Sequence, residues 1–344
     1  MKSISFKQGR FAPDGFDIGR RRLLGGLAAT AGALAISRGT AIAQSSYPSN
    51  GVRIINPFAA GGNTDIVARL LANHLGIAWR VPVIVENKAG AGATLGTDYV
   101  AKSPPDGQTL LLATLAATAI APNVYGKLPY DPRKDLAAIT GLTIGYSVIG
   151  VTPSLPVRTL LELIAYAKER PDPLFFSTPG IGVSSHLAME NFAYVTNLRL
   201  VHVPYRGSAP ALTAVMTGEV QMIFDPISTM APLIQDGKIR ALAVSGPRRS
   251  PLLPEVPTLE EAGYPNVQSA AWTGLMAPAG TPRPIIDKIQ HDSQVLLQSE
   301  EFKLRVAAMA NDVLDLPTEK FAAFVKAESQ SWGEIAKRTG VKLD

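Results

Sequence analysis

Asn56-Pro57-Phe58-Ala59-Ala60-Gly61-Gly62-Asn63-Thr64-Asp65 is the stretch on which the fold turns. Upstream of it, Val52–Pro57 is an apolar run of strand length. Downstream, residues 65–75 set Ile66, Val67, Leu70, Leu71 and Leu75 on one helical face. A strand therefore runs through two adjacent glycines into an amphipathic helix. Glycines let backbone N–H groups approach a ligand closely, and a helix start leaves unpaired N–H donors with a partial positive charge. Such a corner suits a carboxylate or another anion. It also suits a plain tight turn capped by Asn63 or Thr64. The Asp65 carboxylate would repel an anionic ligand unless it pairs with local N–H groups, and that pairing is the expected role.

A second corner repeats the design at Ser177-Thr178-Pro179-Gly180-Ile181-Gly182-Val183-Ser184-Ser185-His186. Here Ser184 and Ser185 are the candidate caps or ligand donors. Two corners facing each other across a cleft would form a pincer of backbone donors and small hydroxyls suited to a small acid. Val203-Pro204-Tyr205-Arg206-Gly207 and Phe224-Asp225-Pro226 each follow a further strand pattern. Arg206 can clamp a carboxylate or lie on the surface. Asp225 is read more readily as a turn cap than as a ligand contact.

Working outward, strand patterns at 81–86 and 109–114 alternate with a helical pattern at 94–101, which argues for βαβ units and a parallel sheet. The pattern resets after the turn-rich stretch 128–134. Strands are then expected at 142–151, 174–177, 200–203, 220–224, 240–244 and 270–277, and helices at 160–168, 184–195, 209–216, 284–297 and 320–337. This gives two α/β units. The chain enters lobe two near residue 145 and returns to lobe one near residue 270. The expected domains are 44–145 plus about 270–344 for lobe one, and about 146–269 for lobe two.

The 344 residues include no Cys, which removes disulfides, thiolate metal sites and a Cys nucleophile. The net charge of +5 is local. Residues 1–43 hold seven Lys and Arg against Asp14 and Asp17, and the remainder is balanced. A nucleic-acid protein would keep a basic footprint in its folded part, so that partner class is set aside. The first 43 residues read as a signal peptide: Arg20-Arg21-Arg22, an apolar stretch from Leu23 to Ile36 too short to cross a bilayer, then Ala41-Ile42-Ala43. The arginine run resembles the twin-arginine export pattern, departing from it at Gly19 and Gly25, and cleavage is expected near Ala43/Gln44. A periplasmic protein is the expectation.

Recognisable catalysis is missing. Gly182-Val183-Ser184-Ser185-His186 fails the nucleophile-elbow pattern at its last position. Gly90-Ala91-Gly92-Ala93-Thr94-Leu95-Gly96 puts Leu95 where a dinucleotide loop needs its third Gly. His186 and Glu190 share a helix face with no third metal ligand apparent. No metal and no cofactor are expected.

Pro57-Phe58-Ala59-Ala60-Gly61-Gly62, Val85-Glu86-Asn87-Lys88, Pro105-Asp106-Gly107, Leu128-Pro129-Tyr130-Asp131-Pro132, Val203-Pro204-Tyr205-Arg206-Gly207, Val256-Pro257-Thr258 and Ala277-Pro278-Ala279-Gly280-Thr281-Pro282 follow one another in this order. In combination they resemble the Bug receptors, the solute-binding proteins of tripartite tricarboxylate transporters, over nearly all of the chain beyond residue 43. The resemblance implies a periplasmic binding-protein fold of the second class, two α/β lobes joined by crossing strands. It implies a non-enzymatic receptor, expected to be a monomer, that captures a small organic acid and delivers it to the membrane subunits of a transporter. An exported α/β enzyme acting on small acids, or a sensor feeding a signalling partner, are the competing readings. The ligand loops fall on Phe58, Ala59, Ala60, Gly61, Gly62, Asn63 and Asp65, and on Thr178, Gly182, Ser184 and His186. Thr114, Tyr205 and Asp225 match further cleft positions. The sequence departs from the family at Asn56, where an aliphatic residue is common, at Asn63, where Ser is frequent, and at Ala113-Thr114-Leu115-Ala116-Ala117, which lacks a polar Gly-Thr pattern. That last change makes one wall more apolar and favours a mono- or dicarboxylate, including aromatic acids, over citrate.

Overall fold

A computed structural model describes residues 47–267 and 269–343. The expected signal peptide and its cleavage site lie outside the described residues. From Pro48 onward the chain forms one contact unit.

Three parallel strands build the edge of the first lobe: β1 (Val52–Asn56), β2 (Val83–Asn87) and β3 (Thr109–Thr114). Helix α1 (Asn63–Trp79) connects β1 to β2, and α2 (Thr94–Ala101) connects β2 to β3. The buried stripe of α1, with Val67, Leu71, Leu75 and Trp79, follows the helical period read from the sequence, but Ile66, placed on that face, is exposed and Leu70 lies at its edge. After β3 the chain makes a wide, π-type turn over Ala116–Ile120, held by Thr118 Oγ1 donating to Thr114 O (2.7 Å) and Tyr130 Oη donating to Ala117 O (2.8 Å).

β4 (Leu136–Val151) then crosses from one lobe to the other. Its first part pairs antiparallel with β9 (Ala270–Pro278), from Leu136 opposite Pro278 to Tyr146 opposite Ala270. Its last part, from Ser147, pairs antiparallel with β7 (Met222–Pro226) and β8 (Arg240–Val244). In the second lobe β5 (Leu174–Thr178) runs parallel to β6 (Leu200–Pro204) and to β7. The strand order is β2-β1-β3-β9-β4-β7-β5-β6, with β8 and the short β10 (Asn311–Val313) also on β4. The parallel pairing expected from alternation holds for β1, β2 and β3 and for β5, β6 and β7. The outer strands are parallel, but β4 and β9 pass between the lobes in opposite senses and need no crossover helix to lie side by side. β4 also starts six residues before the expected run, because Gly141 and two register shifts break the apolar pattern there.

Apart from two single turns, Ala121–Val124 and Pro132–Asp135, the remaining helices are α3 (Leu160–Lys168), α4 (Ser184–Thr196), α5 (Ser208–Thr217), α6 (Ile227–Gln235), α7 (Arg283–Gln298), α8 (Glu300–Ala308) and α9 (Thr318–Thr339). The sequence reading missed α6, with its internal Pro232, and also α8 and β10. α8 buries only Phe302 and Val306, one residue per turn, and β10 is three polar-flanked residues long. At the crossing point three serines knit the strands: Ser147 N–H donates to Ser245 Oγ (3.0 Å), Ser245 Oγ donates to Ser269 O, and Ser269 Oγ donates to Ser147 Oγ (3.2 Å). Helix α9 spans the seam, packing Phe321 edge-on against Trp272 of β9 and reaching α4 through Arg338, which donates to Asn191 Oδ1 (3.1 Å).

Candidate functional site

Gly61 sits at φ +88°, in the left-handed region that favours glycine, and its N–H donates to Asp65 Oδ2 (3.0 Å). Gly62 is extended (φ −82°, ψ 171°) and precedes α1 with no side-chain cap. The cap expected at Asn63 or Thr64 is therefore corrected: both are already helical, and the turn that would free them for capping is made by Gly61 and Gly62 instead. Asp65 is buried and does pair locally. Besides Gly61 it accepts from Arg69 Nε (2.9 Å) and Asn87 Nδ2 (2.9 Å). The Arg69 guanidinium above all, with these N–H groups, holds its carboxyl well below the usual carboxylate range against the opposing pull of burial.

The second corner copies this geometry with other chemistry. Gly182 has φ +74° and donates its N–H to His186 Nδ1 (3.1 Å). Val183, extended, precedes α4, again without a side-chain cap, so Ser184 and Ser185 are helical residues and not caps. Because His186 Nδ1 accepts, its proton lies on Nε2, which faces Glu190 Oε1 at 3.6 Å. The ring stacks on His202 with centroids 3.8 Å apart. Thr178 Oγ1 gives its single proton to Gly180 O (2.8 Å), so in the contact with His202 Nε2 (2.6 Å) the imidazole donates. Burial, then the neighbouring His186, pushes His202 down to about 4.

A third helix start joins them. β7 ends at Pro226, and α6 begins at Ile227 with no side-chain cap. Asp225 lies fully buried beneath it, accepting from Thr229 Oγ1 (2.7 Å) and, more weakly, Ser208 Oγ (3.4 Å); burial pushes it up to about 6.

The three starts meet at a cavity of about 290 Å³. Asn63 and Thr64, Val183 and Ser184, and Pro226 and Ser228 line it from the helices. Phe58, Val67, Leu115, Ile120 and Trp272 supply apolar wall, and Thr114, Thr143, Thr273 and Asn311 supply the sheet side. None of its nineteen lining residues is ionisable. A helix start offers partial positive charge without the desolvation cost of a buried Lys or Arg.

Of the residues singled out from sequence, Phe58, Asn63, Thr114 and Ser184 are on this lining. Ala59, Ala60, Gly61 and Gly62 form the exposed turn beside it, and Asp65, Thr178, Gly182 and His186 brace the two corners from behind. Asp225 is below the third helix. Tyr205 donates instead to Glu219 Oε1 (2.9 Å), and Arg206 is exposed. Sequence reading missed Trp272, Thr273, Thr143 and Ser228. Trp272 and Thr273 sat in a strand read only as apolar, and nothing local marks a crossing strand as cavity wall. Trp272 is fixed from outside the cavity by Glu328, to which its indole N–H donates (3.1 Å).

Residues 67–341 match the model of the tripartite tricarboxylate transporter family receptor. Protein BugT of Bordetella pertussis is 34% identical over 303 residues, covering 88% of this chain and 93% of its own. Among solved structures, R. palustris Rpa4515 with adipate is 32% identical at a TM-score of 0.75, covering 86% of this chain and 99% of that one. MatC from Rhodopseudomonas palustris with bound malate is 32% identical at a TM-score of 0.71, covering 84% and 99%.

Proposed function

Because the chain belongs to the tripartite tricarboxylate transporter receptor family, we propose that it is a periplasmic solute receptor, and not an enzyme, which holds a small organic acid in the cavity between its lobes and hands it to the membrane subunits of a transporter. The observation that carries this reading is the meeting of three uncapped helix starts on a cavity with no ionisable wall. One ligand carboxylate takes the first-turn N–H groups of α1 and α4, at Asn63 and Thr64 and at Ser184 and Ser185. Its carbon body lies against Phe58, Leu115 and Ile120, which favours a mono- or dicarboxylate, aromatic ones included, over citrate. The relatives solved with adipate and malate support carboxylates as the ligand class. Residues 44–145 and about 270–344 form lobe one and about 146–269 lobe two, and the first 43 residues are the export signal. The receptor works as a monomer.

Proline tests the donor role without breaking the helices. Asn63 and Ser184 are the first helical residues of α1 and α4, where Pro is well tolerated, and Gly62 and Val183 before them are extended, as a pre-proline residue must be. Ser184→Pro deletes one N–H, and Ser184→Ala controls for the hydroxyl. In a thermal-shift screen with organic acids the wild type is expected to melt higher with its ligand. Ser184→Pro is expected to bind at least about tenfold more weakly than Ser184→Ala, with the unliganded melting temperature little changed. Equal affinity of the two variants would remove the helix start from the binding site.

A further inference from the structure

Thr114, Thr273 and Thr143 stand in one row across three adjacent strands. Thr114 of β3 is in register with Thr273 of β9, and Thr273 with Thr143 of β4. Register-paired residues share a sheet face, so the three side chains point the same way. All three line the cavity, and none is more than 8% exposed.

The row is under-satisfied. Thr143 Oγ1 and Thr273 Oγ1 bond each other at 2.7 Å, which uses one of their two protons. Thr114 Oγ1 is buried with no hydrogen-bond partner among the described residues. Asn56 extends the polar strip: it shares the face of Ile54, Leu110 and Thr114, and both its amide atoms are buried and unpartnered. Buried polar atoms left without partners are uncommon and costly, and Thr114 Oγ1 is one that stands on the cavity lining, with Asn56 behind it on the same sheet face. Among the described residues the wall holds hydroxyls and amides but no cation, so a second carboxylate placed on it would lose its water without gaining a counter-ion. A hydroxyl or keto oxygen would gain donors and lose little.

Building on the receptor reading above, we propose that the Thr114–Thr273–Thr143 row is a specificity site that recognises a neutral oxygen substituent, a hydroxyl or keto group, on the organic acid whose carboxylate the helix starts hold. The ligand class is thereby narrowed to oxygenated monocarboxylates. Thr273, at the centre of the row, is the main specificity-determining residue.

The test is isothermal titration of the purified protein with straight-chain acids of about four to eight carbons ending in methyl, hydroxymethyl or carboxyl. The hydroxyl-ended acid of the best length is expected to bind about tenfold tighter than both counterparts, the worth of one good hydrogen bond in a site built for it. Thr273→Val keeps the shape and drops the hydroxyl. It is expected to erase that preference and leave the methyl-ended acid within about twofold. Thr114→Val, one strand away, is a second variant whose partial loss of preference guards against a misfolded Thr273→Val. A dicarboxylate that binds tightest, or a hydroxyl preference that survives both valine variants, overturns the specificity site and leaves the receptor reading standing. If no acid of the three series binds, the specificity site fails, and the receptor reading is then decided by the wider thermal-shift screen, aromatic acids included.

Discussion

The two corners are the same backbone device built with opposite chemistry. In each, a glycine at positive φ donates its N–H to the side chain four residues on, an extended residue follows, and an uncapped helix begins. The acceptor is the carboxylate of Asp65 in one and the imidazole of His186 in the other. A carboxylate held well below its usual range stays charged through the whole working pH span, and its charge, although paired with Arg69, opposes an anion at that helix start. The imidazole takes the same N–H through a ring nitrogen's lone pair, with no carboxylate charge at that helix start. The first corner is thus electrically costly for an anion, and the second is cheaper.

The largest expected effect separates the corners by packing. Gly61 has open space where a Cβ would stand, so Gly61→Ala bears only the left-handed strain of about 1–2 kcal/mol. At Gly182 the same Cβ would run into the Leu343 side chain, whose backbone is anchored by donating to Val124 O (2.7 Å) and accepting from Gly126 N–H (3.1 Å). Gly182→Ala is expected to lose clearly more stability in urea denaturation than Gly61→Ala. Adding Leu343→Ala should cancel the excess in a double-mutant cycle. Equal losses from the two single variants would mean that the chain end does not press on the second corner.

The next effect is titration. His202 stacks on the second corner's His186 and has a folded-state value of about 4, below the ordinary 6.5. Its contribution is complete above about pH 6.5, and is lost as pH falls from there through 4, because the unfolded chain takes the proton first. Asp225, beneath the third helix start, runs the other way. Raised to about 6, it penalises the folded state as pH climbs from about 4 through 6. His202→Gln is therefore expected to flatten the fall in melting temperature between about pH 6.5 and about 4. Asp225→Asn is expected to raise the melting temperature by a few degrees at about pH 7.5, and hardly at all at about pH 4. A wild-type melting temperature that is flat across this window, with both variants flat as well, would show that neither group is as buried as it stands here.

How much of this was legible in the sequence follows the same division. The corners announced themselves because strand, glycine and helix periodicities change within ten residues, and that change is local. Asp65 was readable for a similar reason: a carboxylate two residues into a helix has N–H groups nearby whatever the fold. The threonine row was not readable, because Thr114, Thr143 and Thr273 are separated by up to 159 positions and come together only through the register of β3, β9 and β4. Tyr205 fails for the converse reason. Its motif is local and conspicuous, but the side chain's direction is decided by Glu219, which reaches it from beyond the end of α5.

The smallest expected effect concerns salt, and it decides whether the two corners act on an anion as equals. Dipolar N–H groups at a helix start act over a few ångströms, on a carboxylate in direct hydrogen-bond contact with them. Exposed cations act through solvent and are screened within roughly 8 Å at physiological ionic strength. No ionisable residue among the described ones lines the cavity, so raising sodium chloride from about 0.05 to about 0.5 M is expected to change carboxylate affinity by less than about twofold. The nearest cation to the first corner is Arg69, whose side chain is more than half exposed and whose charge is already engaged by Asp65 at 2.9 Å. A steep salt slope that vanished in Arg69→Gln would mean that the ligand draws on this guanidinium. The first corner would then be the anion's main anchor, and the neutral second corner only a wall. A shallow slope in both proteins means that the carboxylate is held by the N–H groups of both corners and not by the Arg69 charge.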